Sequence, residues 1–329
     1  MEVKKLRIVL FLVLGLSAFF SAQAQEKIVY DQYHWNYYLI NPAIAGSTPC
    51  THFMLTHKQQ WVGLPQSPYT STLSFRHRFQ HNIGIGAYIF NDRNGYSYLT
   101  GGELTLAYHI PLIASNRYSR KQNYERQLSF GVSFKFQNYR FDDKLYQDKN
   151  AALDPVFSEK VSNFVPNANV GVYFKSYGFY TGFTMTNLVQ ANKDYLKKVF
   201  VGGGEPYPAL TGFFLIGNAF EVDRGKDIDP SLVFKFDVDG NFKLDVNLKY
   251  EDNDEKKDFG YWVGISFRQI FDGKGYQTTS LLPNAAFRYK KFYIGYACGI
   301  DLNRLITTNY GSHEIMLGYT FCHQKKFCR

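Results

Sequence analysis

From about residue 51 to residue 321, apolar and polar positions alternate in segment after segment, with the two-residue period of strands whose side chains point to opposite faces. In 128–137, Leu128, Phe130, Val132, Phe134 and Phe136 fall on one face, and Ser129, Gly131, Ser133, Lys135 and Gln137 on the other. The same split separates Leu104, Leu106, Tyr108 and Ile110 from Thr105, Ala107 and His109. It also separates Phe242, Leu244, Val246, Leu248 and Tyr250 from Lys243, Asp245, Asn247 and Lys249. A soluble sandwich alternates too. Three features favour a membrane barrel. The segments approach the ~9–11 residues a tilted membrane strand needs. They fill the chain, with little helical periodicity between them. The polar face mixes Gly, Ser, Lys and Asp, as a wet lumen would.

The fold class expected is therefore all-β: a transmembrane antiparallel β-barrel of about fourteen strands. They are placed near 51–58, 70–78, 82–91, 99–110, 127–138, 165–174, 178–186, 209–219, 229–238, 241–250, 260–268, 278–289, 291–301 and 312–321. An even count puts both termini at the periplasmic rim. The long connections at 139–164 and 187–208 then fall outside, and the short ones at 79–81, 175–177 and Lys290 inside. Two connections break the pattern: 111–126 is long but periplasmic, and the tight Asp239-Gly240 turn, a strong hairpin signal, is external. In the last strand Ile315, Leu317, Tyr319 and Phe321 alternate up to an aromatic end.

The first residues read differently. Lys4, Lys5 and Arg7 precede an apolar stretch from Ile8 to Phe20, and Ala22-Gln23-Ala24 offers small residues at Ala22 and Ala24. That is a secretory signal peptide, too short and wrongly flanked for a stable span. The expected division is a signal at 1–24, an irregular segment at 25–50, the barrel at 51–321 and a short basic tail at 322–329.

Composition sharpens this. Aromatic residues make up 18% of the chain, with 26 Tyr and 30 Phe. A mean hydropathy of −0.30 excludes a helical membrane protein but not a barrel, which hides its apolar residues at every second position. The formal net charge of +9 can point to nucleic acid. Export and the lack of a dense basic run argue against it, leaving lumen, loops, acidic lipid headgroups or an acidic partner.

Residues 30–50 are distinctive. Tyr30-Asp31-Gln32-Tyr33, Asn36 and Asn41-Pro42-Ala43-Ile44-Ala45-Gly46-Ser47 resemble the opening of the PorP/SprF family of type IX secretion membrane proteins. The resemblance continues through Gln60-Trp61-Val62-Gly63, Pro68, Ser71 to Phe75, Gly84-Ile85-Gly86, and Asn91-Asp92 with Gly95. It returns at His313-Glu314-Ile315 and Leu317-Gly318-Tyr319. It implies a Bacteroidota outer-membrane barrel that helps export or hold a secreted surface protein, including gliding adhesins. The partners implied are that type IX substrate or adhesin and secretion-machinery subunits.

A physical reading of 25–50 stands beside it. Pro42 removes a donor and biases Asn41 away from helix, while Gly46 and Ser47 allow a sharp change of direction, so 36–47 should be an ordered turn. Trp35, Tyr37, Tyr38, Leu39 and Ile40 need a surface to cover. They either plug a lumen too wide for side chains alone to fill or join the interfacial girdle.

No catalytic set, cofactor motif or metal set stands out. His77 and His81 sit among Arg residues near a turn, and arginine repels a metal cation. Asp142, Asp143, Asp148, Asp154 and Glu159 lack EF-hand spacing. Gly202-Gly203-Gly204 lacks the Lys-Ser/Thr of a P-loop. Cys50, Cys322 and Cys328 lie near the barrel ends, so Cys50 can pair with Cys322 or Cys328, with Cys322–Cys328 as competitor. Cys298 shares parity with Phe292, Ile294 and Tyr296 and should face lipid. The reading is a non-enzymatic recognition protein of the outer membrane, with Trp61, Pro65 and Tyr69 and the 139–164 loop as candidate contacts. The alternative is a porin-like solute channel.

Overall fold

The computed structural model describes residues 30–79, 82–112, 126–141, 162–189, 209–238, 240–253, 258–271, 277–303 and 307–322. The expected signal at 1–24, His81, the acidic stretch from Asp142 to Glu159, Gly202-Gly203-Gly204 and Cys328 lie outside these residues.

The alternating segments form β1 (Cys50–Gln59), β2 (Tyr69–Arg78), β3 (Ile83–Asn94), β4 (Ser97–Pro111), β5 (Arg126–Phe141), β6 (Ser162–Ser176), β7 (Phe179–Thr186) and β8 (Thr211–Asn218). They continue with β9 (Phe220–Asp223), β10 (Lys226–Asp237), β11 (Phe242–Asp252), β12 (Phe259–Phe271), β13 (Gln277–Tyr289), β14 (Phe292–Asp301) and β15 (Ser312–Cys322). β8 and β9 form one stave broken at Ala219, since both pair with β10. The result is fourteen staves, each antiparallel to its sequence neighbours. β1 closes on β15 in an unbroken register from Cys50↔Cys322 to Gln59↔His313. Closure leaves no sheet edge to satisfy in lipid, the condition a membrane-spanning sheet must meet.

The alternation dictates which side chain goes where. Leu104, Leu106, Tyr108 and Ile110 are exposed on the outer surface, while Thr105, Ala107 and His109 are buried inside. Phe130, Val132 and Phe134 point outward over buried Ser129 and Ser133, and Val246 and Leu248 over buried Asp245 and Asn247. Ile315, Leu317 and Phe321 also point outward. Its polarity is thus inverted relative to a soluble protein: the outside is apolar and the inside carries the hydrogen-bonding groups.

Length does not mark the outer connections uniformly. The Asn94–Ser97 turn and the β10–β11 hairpin are both tight and both outer. In the hairpin Gly240 takes φ +84° and the Asp237 carboxylate accepts from the Asn241 backbone N–H at 3.0 Å.

At the inner rim Cys50 and Cys322 face each other across the β1–β15 seam and are joined by a disulfide. The bridge links positions 272 residues apart. Loss of such a covalent tie costs about 2–5 kcal/mol in typical cases. Cys50→Ser is expected to lower the temperature at which the folded barrel gives way to the unfolded band on gels, and reductant should reproduce the shift in the unmodified protein. Equal transition temperatures with and without reductant would show that the ten-residue ladder alone secures the seam.

Candidate functional site

Residues 30–49 fold inside the barrel. They make three single 3₁₀ turns, Tyr33–Trp35, Tyr37–Leu39 and Pro42–Ile44. The third has a clear local cause. Asn41 is extended at φ −143° and ψ 112°, as the residue before proline prefers, and its Oδ1 accepts from the Ala43 N–H at 2.9 Å. Pro42 occupies the first position of the turn, where a missing N–H costs nothing. Gly46 then reverses the chain at φ +69°.

The wall is shaped to receive this segment. A Cβ at Gly84 would strike the Ala45 carbonyl, and one at Gly131 the Pro42–Ala43 backbone. A Cβ at Gly171 would strike Asn41, one at Gly86 the Tyr38 ring, and one at Gly295 the Trp35 ring. All five glycines sit in strand interiors on the lumen face, where glycine permits close approach of another backbone or ring.

Contacts run around the circumference. Tyr38 Oη pairs with Thr105 Oγ1 of β4 at 2.9 Å, and Asn36 donates to Ser74 Oγ of β2 at 2.9 Å. Asn41 Nδ2 donates to the Val172 carbonyl of β6, and Tyr37 Oη meets Tyr180 of β7 and Ser231 of β10. Tyr33 Oη bonds Asn247 of β11, and His34 Nε2 pairs with Asn284 of β13. Lower down, the Ala45, Gly46 and Ser47 carbonyls accept from His109, Arg78 and Gln127. Tyr33, Tyr38, Ala43, Ile44 and Ala45 share one apolar cluster with wall residues Tyr88, Phe90, Tyr173, Tyr180 and Leu215. The segment thus descends from the outer half of the lumen, at Asp31, to the inner rim, where Cys50 starts β1.

Its upper end is held by charge. The Glu314 carboxylate of β15 accepts two successive backbone N–H groups, Asp31 at 2.6 Å and Gln32 at 2.9 Å, and Gln32 Nε2 returns a bond to the Glu314 carbonyl. Asp31 Oδ1 accepts Lys58 Nζ of β1 at 2.8 Å and Arg268 Nη1 of β12 at 2.5 Å. Arg268 also grips Asp245 of β11 at 2.9 and 3.1 Å and the Tyr30 carbonyl at 3.0 Å. Lys243 completes the group at 3.4 Å from Asp245. Asp31 and Asp245 are thus paired with three cations in a buried site, and Glu314 is met by backbone N–H groups, as burial of such groups demands. Burial pushes the Asp31 carboxyl up, but Lys58 and Arg268 outweigh it and hold it below the ordinary carboxylate range. Burial, reinforced by Lys249, pushes His34 down to about 3.

The outer mouth holds the other motif. Val62 and the last outer loop exchange backbone bonds, Val62 N–H to the Gly311 carbonyl at 2.9 Å and Tyr310 N–H to the Val62 carbonyl at 2.8 Å. Trp61 sits in the left-handed region at φ +47°, which a bulky residue adopts only when its surroundings enforce it. Here its Nε1 donates to Asp301 at 2.9 Å. Gly63 lies under the Tyr310 ring, which is 81% exposed. Gln60 N–H donates to the Pro68 carbonyl, closing the loop.

Asn41, Pro42, Ala43 and Gly46 therefore meet the lumen wall, and Glu314 meets Asp31 and Gln32 across 283 and 282 residues of sequence. Gln60, Trp61, Gly63 and Pro68 form the outer-mouth loop. Its Pro65 is exposed, and Tyr69 is half-buried at the base. His313 does not join Glu314 inside: its ring points out and pairs with Tyr296 Oη at 2.6 Å. Cys298 lies on that same outward face, unbridged. Sequence reasoning missed Lys58, Arg268 and Asp245 as lumen anchors and Tyr310 as the exposed ring. The one available signal was a charge or a glycine at a lumen-parity position in an otherwise small-polar row.

The chain matches the family described as type IX secretion system membrane protein PorP/SprF over residues 22–319. Among solved structures it is similar to the CymD monoaromatic hydrocarbon channel, with 12% identity, a TM-score of 0.50, and 90% of this chain and 94% of that one covered. It is also similar to the P. putida toluene transporter TodX, at 10% identity, TM-score 0.48, with 86% and 93% covered. A third is BamA from Haemophilus ducreyi lacking POTRA domains 1–3, at 9% identity, TM-score 0.41, with 83% and 70% covered. At such identities the likeness to CymD is one of barrel fold. No curated protein matches the sequence.

Proposed function

The chain belongs to the PorP/SprF family of type IX secretion system membrane proteins and is an outer-membrane β-barrel, and we propose that it helps export or anchor a particular secreted surface protein by protein–protein recognition. The family is part of the secretion machinery, which implies contact with machinery subunits. The client, and any role in gliding, are the finer part of this proposal. So is the absence of catalysis, for which the family and fold supply no enzyme class.

The observation that carries the reading is the segment docked across the lumen. A barrel of fourteen staves leaves room for a channel unless something occupies it, and here residues 30–49 bond to β2, β4, β6, β7, β10, β11, β13 and β15 from within. A solute filter needs an open path past those contacts. Recognition needs rigid exposed surface, and the outer mouth supplies it. There Trp61 is spent holding the loop, so the contact shifts from Trp61 to Pro65, Tyr69 and Tyr310. An exposed tyrosine on a braced loop gives large contact area at low cost in conformational entropy.

The test is affinity purification from native outer membrane after cross-linking, comparing the unmodified protein with Tyr310→Ser. The expected result is one surface protein together with secretion subunits, and loss of the surface protein alone in the variant. A steady high conductance from the purified protein, with no co-purifying partner, would instead establish the porin-like alternative.

A further inference from the structure

The outer ends of β2 to β5 carry, on the lipid-facing side, two stacked polar rows, of which the secretion reading uses only Tyr69. In the upper row Tyr69 pairs with Arg93, Arg93 with Tyr98, and Tyr98 with Arg140, so four directly opposed positions on consecutive strands read Tyr-Arg-Tyr-Arg. In the row beneath, Ser71 pairs with Asn91, Asn91 with Thr100, and Thr100 with Asn138. Below these the same face turns apolar, with Leu73, Ile89, Leu104 and Phe134 all exposed. Strand parity fixes the direction: Arg93 lies on the face of Ile89, Tyr98 on that of Leu104, and Arg140 on that of Phe134.

The two arginines converge. Their guanidinium carbons lie 5.1 and 5.0 Å from the centre of the Tyr98 ring, from opposite neighbouring strands. Cation–π contact holds both planes near one ring, and Arg93 Nε donates to the Gly95 carbonyl at 3.0 Å, which fixes its guanidinium beside Tyr98. Among the described residues the nearby acids point the other way: Asp92 accepts the buried Thr70 hydroxyl, and Glu103 accepts Tyr88 Oη inside the lumen. Neither row contains a carboxylate.

From the outer rim inward the face therefore offers two guanidiniums, then hydroxyl and amide groups, then aliphatic and aromatic surface. We propose that this strip binds a phosphorylated glycolipid of the outer leaflet, of the lipid A class. Arg93 and Arg140 take its phosphate, since planar forks match phosphate oxygens. Ser71, Asn91, Thr100 and Asn138 meet its sugar hydroxyl and amide groups, which both donate and accept. Its acyl chains lie on Ile89, Leu104 and Phe134. A simple phospholipid would use the arginines but would leave most of the amide and hydroxyl row unmatched. The strip is separate from the Tyr310 loop and its phosphate and sugar contacts do not include Tyr69, so the two proposals stand or fall independently.

The test uses the purified full-length protein in detergent, with native mass spectrometry reading retained lipid. The ligands are diphosphoryl lipid A, its fully dephosphorylated form and phosphatidylglycerol, with inorganic phosphate as competitor. The expected result is retention of diphosphoryl lipid A about tenfold or more over the dephosphorylated form, which is the scale of one charge-assisted contact. The double variant R93Q/R140Q should lose that difference, and N91A/N138A should weaken both glycolipids alike. Arg140→Gln alone, at an exposed strand end, gives the same reading if the double variant lacks the folded-barrel gel shift. Full discrimination retained in the folded arginine variants overturns the proposal. So does phosphatidylglycerol binding as tightly as lipid A, or complete displacement by inorganic phosphate at matched concentration, which would make the strip a plain anion site.

Discussion

Deleting residues 30–46 is expected to open the lumen, with planar-bilayer conductance rising to a large steady step. The barrel itself should survive. Its hydrogen bonds run stave to stave and close on themselves through β1 and β15, independently of the segment. Ser47 and Thr48 remain to lead into Cys50, so the seam disulfide can still form. What changes is the lumen: Glu314, Lys58 and Arg268 lose the partners that Tyr30, Asp31 and Gln32 supply and rehydrate, while Arg268 keeps Asp245. A point substitution gives the same reading without truncation. Gly131→Val adds bulk where the wall meets the Pro42–Ala43 backbone, in a core that cannot yield a methyl's width cheaply. It should lift the lower half of the segment and raise conductance partway. If the deletion variant folds and conducts no more than the parent, residues 30–46 do not seal the lumen.

The barrel was legible in sequence because its two faces meet opposite solvents, so every second residue reports its environment. Thirteen of the strand segments needed only that alternation. The eighth segment, expected at 209–219, covers β8 but stops at Ala219 and leaves out β9, the continuation of the same stave. The lumen segment was legible only as an ordered turn. Tyr37 and Tyr38 suit a wet lumen and an interfacial girdle equally well, and nothing in 30–50 tells the two apart. The deciding information is spread over the wall, in Gly84, Gly131 and Gly171, whose purpose appears only when the backbone they admit is in place. The Asp31 site was illegible for a related reason. Lys58, Asp245, Arg268 and Glu314 come from four staves, and each alone reads as one more polar residue on a lumen face. His313 and Glu314 show the limit of motif reading: adjacent residues in one motif serve opposite sides of the wall.

Arg268→Met is expected to weaken the docked segment and the surrounding wall by about 3–5 kcal/mol, the scale for breaking a buried ion pair from one side. The guanidinium serves two carboxylates and the Tyr30 carbonyl at once, and methionine fills similar volume while serving none. Asp31 keeps Lys58 and Asp245 keeps Lys243, but each carboxylate loses its closest partner. Adding Asp31→Asn should recover part of the loss, because it removes a buried carboxylate left with one cation instead of two, and the size of that recovery measures the coupling. Acidity should act on the same site in two windows. His34 binds its proton only at about 3 when docked, whereas a released His34 protonates near its ordinary 6.5. The released form therefore takes up more protons between those values, and docking weakens as pH falls through that range. Asp31 adds a second loss at lower pH: its docked carboxyl is held below the ordinary 3.8, so its contribution is intact above that value and disappears as pH falls through the depressed one. Conductance of the unmodified protein should thus rise on acidification below 6.5, His34→Gln should remove the upper window, and Arg268→Met should open at a milder pH than the parent. A segment that stays docked in Arg268→Met, with unchanged protease resistance at residues 30–46 and no earlier acid opening, would show that the glycine-lined lower half holds it without the charged upper site.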